Sequence, residues 1–158
     1  NGKPNWMLVG HLGIMGHDHL LISLAKAHYT NQGIRETWVL SVNVVDEALL
    51  RRADYVGCVS GSKTDKSGVF PYYPARSGAP VLEEAKISMA CRVEDNYELP
   101  GFDNFILTID ETFAEEGILT SAGKPDYRRF HPVLFEMPGY TYLKTGDTIG
   151  NCMKLEQE

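Results

Sequence analysis

A strict alternation of residue types over residues 85–94 constrains the fold more than any other feature of this sequence. One set of positions holds Ala85, Ile87, Met89, Cys91 and Val93, and the other holds Lys86, Ser88, Ala90, Arg92 and Glu94. Successive side chains of a β-strand point to opposite faces, so the pattern predicts a half-buried antiparallel strand. A turn at residues 99–101 and a β-rich stretch at residues 102–112 predict a further strand.

Other apolar segments predict more strands around these two. They cover residues 6–12, 19–24 and 38–45, the range Val133–Glu136 and residues 140–144, with a glycine-rich turn at residues 13–16. Trp6 and Trp38 fall in predicted strands and are expected in the core. Several strands, hairpin turns and two short helices favour a mainly β fold, a β-barrel with helical inserts.

Two short helices are predicted between the strands. Thr30 is a suitable N-cap for the first helix, which runs to about Thr37. Asp46 is a suitable N-cap for the second helix, which ends near Gly57. The positions expected to be buried on the second helix are Leu49, Leu50 and Ala53.

Length, charge and cysteine content exclude several classes of protein. The 158 residues fit one domain over residues 1–158, and the formal charge of −6 argues against a nucleic-acid-binding surface. No apolar run has membrane-spanning length, so no membrane association is expected. Cys58, Cys91 and Cys152 are odd in number and far apart, which argues against a disulfide framework or a Cys-x-x-Cys metal knuckle. The cytoplasm, a reducing compartment, is therefore the expected location.

The first residues have the character of a turn. Asn1-Gly2 is a strong hairpin signal, yet no strand and no initiator methionine precede it. We therefore expect a first strand to be missing before Asn1, which would leave an open sheet edge.

The best candidate for a binding site is a phosphate cradle at the first helix. The segment from His28 to Thr30 leads into the helix N-terminus, where free backbone N–H groups and the helix dipole favour an anion. A polar loop carries Ser60-Gly61 and Lys66, and Lys66 supplies a positive charge. The alternative is that Thr30 only caps the helix and the loop is only solvated. Local sequence alone favours this alternative.

Other constellations carry weaker signals. His17-x-His19 places two rings on one side of a strand, but no third ligand is near in sequence, so no metal site is expected. No nucleophile elbow or Cys-His signature is present, so no catalytic residue is assigned. The pairs Glu83-Glu84 and Glu115-Glu116 are expected on solvated faces.

A collinear set of short motifs runs through nearly the whole chain. The set comprises Asn5-x-Met7, residues 28–37 (HYTNQGIRET), Ser41-Val42-Asn43-Val44, Ser60-Gly61 with Asp65-Lys66-Ser67, residues 123–127, residues 132–135 and Pro138-Gly139-Tyr140. This ordered set resembles the flavin reductase-like family, in particular its flavoredoxin and ferric-reductase branch. The resemblance implies a six-stranded antiparallel split β-barrel that binds FMN and forms a homodimer.

The resemblance also implies roles for individual residues. Thr30 and Lys66, beside His28, would hold the FMN phosphate, with Ser60 and Gly61 near the phosphate or the ribityl chain. The residues implied around the rest of the cofactor are Asn5, Met7 and His11 along the isoalloxazine ring, the backbone of Leu24, Ala25 and Lys26 at the ring edge, Asn43 near the ribityl chain, Asn104 where relatives often carry histidine, and Phe135 over the ring.

The chain departs from the family pattern at three places. Leu8 replaces a small hydroxyl residue, and His11 stands where relatives often have Trp or another residue beside the ring. Ser67-Gly68 stands where the family's phenylalanine follows the lysine. These departures bear on the ring contacts and on the loop that carries Lys66.

Two functions follow from the resemblance. The first is an FMN-dependent reductase that takes electrons from NAD(P)H and reduces free flavin or ferric iron. The second is a flavoredoxin-like electron carrier that exchanges electrons with protein partners. A third reading, motivated by the departures, is a barrel that has lost its cofactor. Because the Gly-x-Gly-x-x-Gly fingerprint is absent, a nicotinamide donor would have to stack directly over the exposed flavin face.

Overall fold

A computed structural model of the chain describes residues 2–155. Asn1, where the predicted N-terminal turn begins, lies outside the described residues, as do the last three positions of the predicted single domain. In chain order the elements are β1 (Leu12–Ile14), β2 (His19–Ala25), α1 (Thr30–Thr37), β3 (Val39–Asn43), α2 (Glu47–Cys58), β4 (Tyr72–Pro74), β5 (Pro80–Leu82), β6 (Ile87–Leu99), β7 (Phe102–Ala114), a 3₁₀ turn (Glu116–Ile118), β8 (Val133–Glu136) and β9 (Thr141–Lys144).

An antiparallel sheet with the strand order β1-β2-β7-β6-β3 forms the centre of the described part. β6 and β7 form its longest pair, joined at Pro100-Gly101, where Gly101 adopts a positive φ of 83° that favours glycine. The pairs β4–β5 and β8–β9 are separate hairpins. Within residues 2–155 the structure contains no helix of the length and apolar character needed to cross a membrane.

The alternation predicted for residues 85–94 is only partly right. Cys91 and Val93 are buried as predicted, but Ser88 and Ala90, from the opposite set, are buried as well. The register of β6 against β7 shifts between Ala90 and Cys91, with the additional residue, Asp110, on β7, and Ala90 packs in a small cluster with residues 75, 79 and 81. Both faces of this part of β6 are therefore covered.

The predicted strand at residues 6–12 is wrong. Residues 4–9 are assigned no regular element, and β1 begins at Leu12, inside the region predicted to be strand and turn. Trp6 is nevertheless buried as predicted, and its ring meets the rings of Phe70 and Tyr72 at 5.8 and 5.9 Å. Packing of the indole, instead of a strand ladder, holds this segment.

The prediction for Trp38 is also wrong. Trp38 is 48% exposed and ends α1 in the left-handed conformation, with φ of 57°, and its amide donates to the Ile34 carbonyl oxygen at 2.8 Å. A residue in this conformation closes the last helical turn, which turns the indole away from the core.

The predicted helices are confirmed in their placement. Asp46 caps α2, and its carboxylate accepts from the amides of Ala48 and Leu49 at 3.1 Å. Leu49 and Ala53 are buried as predicted, whereas Leu50 is only half-buried. The inner face of α2 packs on Trp6, while α1 contributes Ile34 to the core formed by β2, β6 and β7.

Candidate functional site

A cavity of about 210 Å³ lies where the start of α1, the end of α2 and the following loop meet. Six of the residues predicted to bind the cofactor line it, namely Met7, His28, Thr30, Ser60, Gly61 and Lys66. We call these six residues the cradle. Within residues 2–155 no carboxylate lines the cavity, although the whole chain carries a charge of −6.

The N-terminus of α1 is built differently from the prediction. Thr30 is the first residue of the helix, and Tyr29 is the N-cap, without a side-chain cap. The prediction that Thr30 caps the helix is wrong because its Oγ1 instead accepts a hydrogen bond from Asn5 Nδ2 at 2.7 Å. Among the described residues, the amides of Tyr29 and Thr30 have no hydrogen-bond acceptor. They remain available to an anion.

Asn5 and Gly61 approach each other closely beside Thr30. A Cβ atom at Gly61 would overlap Asn5 Oδ1 and lie 2.7 Å from Tyr29 Cδ1. Only glycine therefore fits this position without a shift in its neighbours. Asn5 does not line the cavity but fixes the hydroxyl of Thr30 at its wall.

Lys66 is the charged residue of the cradle and is 4% exposed. Its Nζ donates to the carbonyl oxygens of Val56 and Val59, at 2.9 and 3.0 Å, at the C-terminal end of α2. Burial lowers the pKa of the ammonium, and within residues 2–155 no carboxylate pairs with it. An ammonium has three N–H donors, so two carbonyl partners leave one donor for a ligand oxygen.

The loop before Lys66 is internally hydrogen-bonded. The Ser60 carbonyl oxygen accepts the amides of Lys63 and Thr64 at 3.0 Å, and Ser60 Oγ lies 2.9 Å from Ser62 Oγ. Asp65 accepts from Lys3 Nζ at 2.8 Å, and this interaction holds the pKa of Asp65 well below its usual range. The nearest acidic residue in sequence is thus already paired.

The residues predicted along the ring edge are engaged elsewhere. Leu24 is buried in the main core, and the Ala25 carbonyl oxygen accepts from Asn31 Nδ2. The backbone amide of Lys26 donates to the Gly101 carbonyl oxygen at 3.0 Å, and its side chain forms an ion pair with Glu98.

Four other predicted residues also lie outside the cavity lining. The His11 ring meets the Phe102 ring at 5.9 Å, and Phe135 contacts Gly10 and the rings of residues 140 and 142. Asn43 Oδ1 accepts from Leu82 N and Ser88 Oγ, at 3.1 and 2.8 Å. Asn104 is 3% exposed and donates to the Tyr97 carbonyl oxygen inside the β6–β7 hairpin.

The cavity wall also contains residues to which the sequence assigned no individual role. Leu8 lines it and packs against Gly57, where an added Cβ would lie 3.0 Å from Leu8 Cβ. Tyr29 and Cys58 line it as well. Leu8 follows Met7 in the segment predicted along the ring, Tyr29 lies in the predicted phosphate-binding segment, and Cys58 follows the predicted end of the second helix near Gly57.

The chain belongs to the flavin reductase-like family, since the family model for the flavin reductase like domain matches residues 1–137. Among solved structures, it is similar to the flavoredoxin from Methanosarcina acetivorans, with 34% identity and a TM-score of 0.94 over 99% of this chain and 85% of that one. It is also similar to the flavoredoxin of Desulfovibrio vulgaris (Miyazaki F), with 26% identity and a TM-score of 0.90 over 98% and 85% of the two chains. None of the curated proteins matches the chain.

The fold class predicted from the sequence is confirmed. A third similar structure, described as a flavin reductase with a split barrel domain from Shewanella frigidimarina NCIMB 400, has 16% identity and a TM-score of 0.76 over 95% of this chain and 78% of that one. The likeness shows the split-barrel fold. Family and fold together define a flavin-related oxidoreductase or electron carrier.

Proposed function

We propose that the protein binds FMN, with the phosphate in the cradle, and transfers electrons as a reductase of the flavin reductase type. The observation that carries the proposal is the buried ammonium of Lys66, which faces no carboxylate among the described residues and lies beside the unpaired amides at the start of α1. A buried charge without a counter-charge is costly, and a bound phosphate supplies that counter-charge.

The residues present fit a phosphate monoester. Backbone N–H groups at a helix N-terminus, the positive end of the helix dipole and one ammonium donor all favour an anion. When bound, FMN supplies hydride and single-electron chemistry at its ring. The chain binds the phosphate and orients the cofactor along Met7 and Leu8, and no carboxylate of residues 2–155 lines the cavity wall.

The proposed donor is NAD(P)H, and the proposed acceptor is free flavin or ferric iron. A second candidate is a carrier that exchanges electrons with protein partners. The similarity to two flavoredoxins over 98–99% of the chain favours this alternative. The charge of −6 suits a basic partner, and such contacts weaken as salt rises.

We also propose a homodimer and a cytoplasmic location. Leu134 and Leu143 are cross-strand partners in the β8–β9 hairpin and are 53% and 49% exposed, which supports an apolar contact with a second copy. Cys58, Cys91 and Cys152 are free, as in a reducing compartment. Light scattering is expected to give the mass of a dimer, and a monomer mass would exclude it.

The first experiment is a visible absorption spectrum before and after addition of FMN and desalting. We expect one retained flavin per chain, and no retention of riboflavin, which lacks the phosphate. Bleaching on addition of NADH or NADPH, with turnover of ferric iron or free flavin, supports the reductase. Slow bleaching by NAD(P)H beside fast reduction by a ferredoxin-like protein supports the carrier. Equal retention of the two flavins contradicts the phosphate cradle.

A further inference from the structure

A buried polar cluster lies beside the first turn of α1 and outside the cavity lining. Asn31 and Asp103 are 1% and 0% exposed. Asn31 Nδ2 donates to Asp103 Oδ2 at 2.7 Å and to the Ala25 carbonyl oxygen at 3.1 Å. Arg35, one turn later in α1, places Nη2 2.7 Å from Asp103 Oδ1. The cluster ties α1 to the start of β7 and to the end of β2.

The chemistry of this cluster fixes one arrangement. Both neighbours of the Asn31 amide nitrogen are oxygen acceptors, so the NH₂ group must face them, and Oδ1 is left without a donor among the described residues. Apolar residues of similar volume often stabilise a fold as well as a buried ion pair does. We therefore attribute to this buried carboxylate, with its amide and guanidinium partners, a role in holding α1 in one position and not a gain in stability.

The segment that this cluster holds in place forms one wall of the cavity. Residues 27–30 form this wall, and Asn31 follows them directly. The Ala25 carbonyl oxygen, which Asn31 holds, also accepts the amide of His28 at 3.0 Å. Both ends of the wall segment are therefore anchored to the same buried amide. Lys66 stands on a different part of the chain, so its distance from Thr30 depends on this anchor.

We propose that Asn31 and Asp103 are positioning residues that set the α1 wall of the cradle for a phosphate monoester, and that they thereby determine the preference for FMN over riboflavin. The inference rests on the proposed function. Neither residue lines the cavity, so each acts through the segment that it holds. A shift of that segment moves the unpaired amides away from Lys66, and the affinity that the phosphate group contributes is then reduced.

The test compares Asp103→Asn with Asp126→Asn as a matched control. Asp103→Asn keeps an oxygen acceptor for Asn31 and removes the nearer of the two carboxylates that face Arg35, the other being Glu98 at 3.7 Å. Asp126 is also a buried carboxylate, 7% exposed and paired with Arg128, and it does not line the cavity. Dissociation constants for FMN and riboflavin are measured from flavin fluorescence, and stability is measured by urea unfolding.

We expect Asp103→Asn to weaken FMN binding by about tenfold or more, while riboflavin binding changes by less than about twofold. Asp126→Asn is expected to keep the wild-type ratio of the two constants. Loss of affinity for both flavins by one factor, or an unchanged ratio in a folded Asp103→Asn, overturns the inference. Equal binding of both flavins by the wild type overturns the proposed phosphate cradle itself, and the inference falls with it.

A second pair of variants keeps the test valid if Asp103→Asn does not fold. The Arg35 side chain is 42% exposed, so its replacement disturbs the core less. Arg35→Gln is expected to lower the FMN preference, and Arg35→Lys, which keeps the charge, is expected to restore most of it. An unchanged preference in Arg35→Gln overturns the proposal.

Discussion

The phosphate end and the ring end of the proposed flavin site differ in how their residues come together. At the phosphate end, Thr30, Gly61 and Lys66 meet around one cavity. At the ring end, Lys26 and Phe135 have partners elsewhere in the fold. A phosphate is held by helix termini and one cation, which short stretches of sequence specify. A planar ring is held by surfaces from several elements, which short stretches do not specify.

Replacing Lys66 tests the comparison most severely. In Lys66→Met we expect FMN affinity to fall by about 10- to 100-fold, because one charge-assisted hydrogen bond is lost. Riboflavin affinity is expected to stay near the wild-type value. Lys63→Met is the control, since Lys63 is an exposed lysine of the same loop. Titration of flavin fluorescence measures both constants, and equal losses for FMN and riboflavin would contradict a phosphate role for Lys66.

Gly61→Ala tests the close approach beside Thr30. The added Cβ would overlap Asn5 Oδ1, so we expect a stability loss of about 1–3 kcal/mol and a several-fold weaker affinity for FMN. Gly68→Ala is the control because nothing lies within 4 Å of its Cβ position. Urea unfolding and FMN titration give the two quantities. A Gly61→Ala protein as stable as Gly68→Ala would refute the account of this contact.

The pH dependence of binding is a smaller effect with a definite sign. Burial lowers the pKa of Lys66 below 10.5 in the free protein, and a bound phosphate raises it again. FMN affinity is therefore expected to fall as pH rises through the lowered pKa, while Lys66→Met shows no such fall. Stability should change the other way, because the unfolded chain binds the proton more tightly and the folded state gains as pH rises toward 10.5. Riboflavin titrations control for ionisation of the ring.

The ring end should give the smallest effects. His11 is exposed, so His11→Gln is expected to change stability by less than about 0.5 kcal/mol and to leave the FMN-to-riboflavin ratio unchanged. Phe135→Leu is expected to change the affinities for FMN and riboflavin by the same factor. Calorimetric titration of each variant with FMN and with riboflavin measures the two affinities and their ratio. A variant at either position that weakens FMN alone would break the distinction between the two ends.

The sequence predicted the positions of the helices better than the long-range contacts that their side chains make. Both helices lie where capping residues and apolar spacing indicated, and Asp46 makes the expected cap. The hydroxyl of Thr30 was assigned to the helix, but Asn5, 25 positions earlier, binds it. A contact of that separation leaves no local pattern. The requirement for glycine at position 61 depends on the same long-range contact, because Asn5 occupies the space that a Cβ atom would need.

Tertiary packing also decided the positions where the pattern misled. Trp38 opens the apolar run of residues 38–45 and looks like a strand residue, yet its place at the end of α1 exposes the ring. Ala90 belongs to the outward set of an alternating strand, and the β4–β5 hairpin buries it. Period-two spacing within one strand carries no signal for a hairpin that covers its outer face.

The different surroundings of the two tryptophans have an optical consequence. The Trp6 indole is 7% exposed and belongs to the segment that continues into Met7 at the cavity, whereas Trp38 is 48% exposed. A sheltered indole emits at shorter wavelength than a hydrated one, and iodide quenches only the latter efficiently. The chain thus carries two intrinsic fluorophores that emission wavelength and iodide quenching distinguish, so changes around the cavity segment and around the end of α1 can be followed separately.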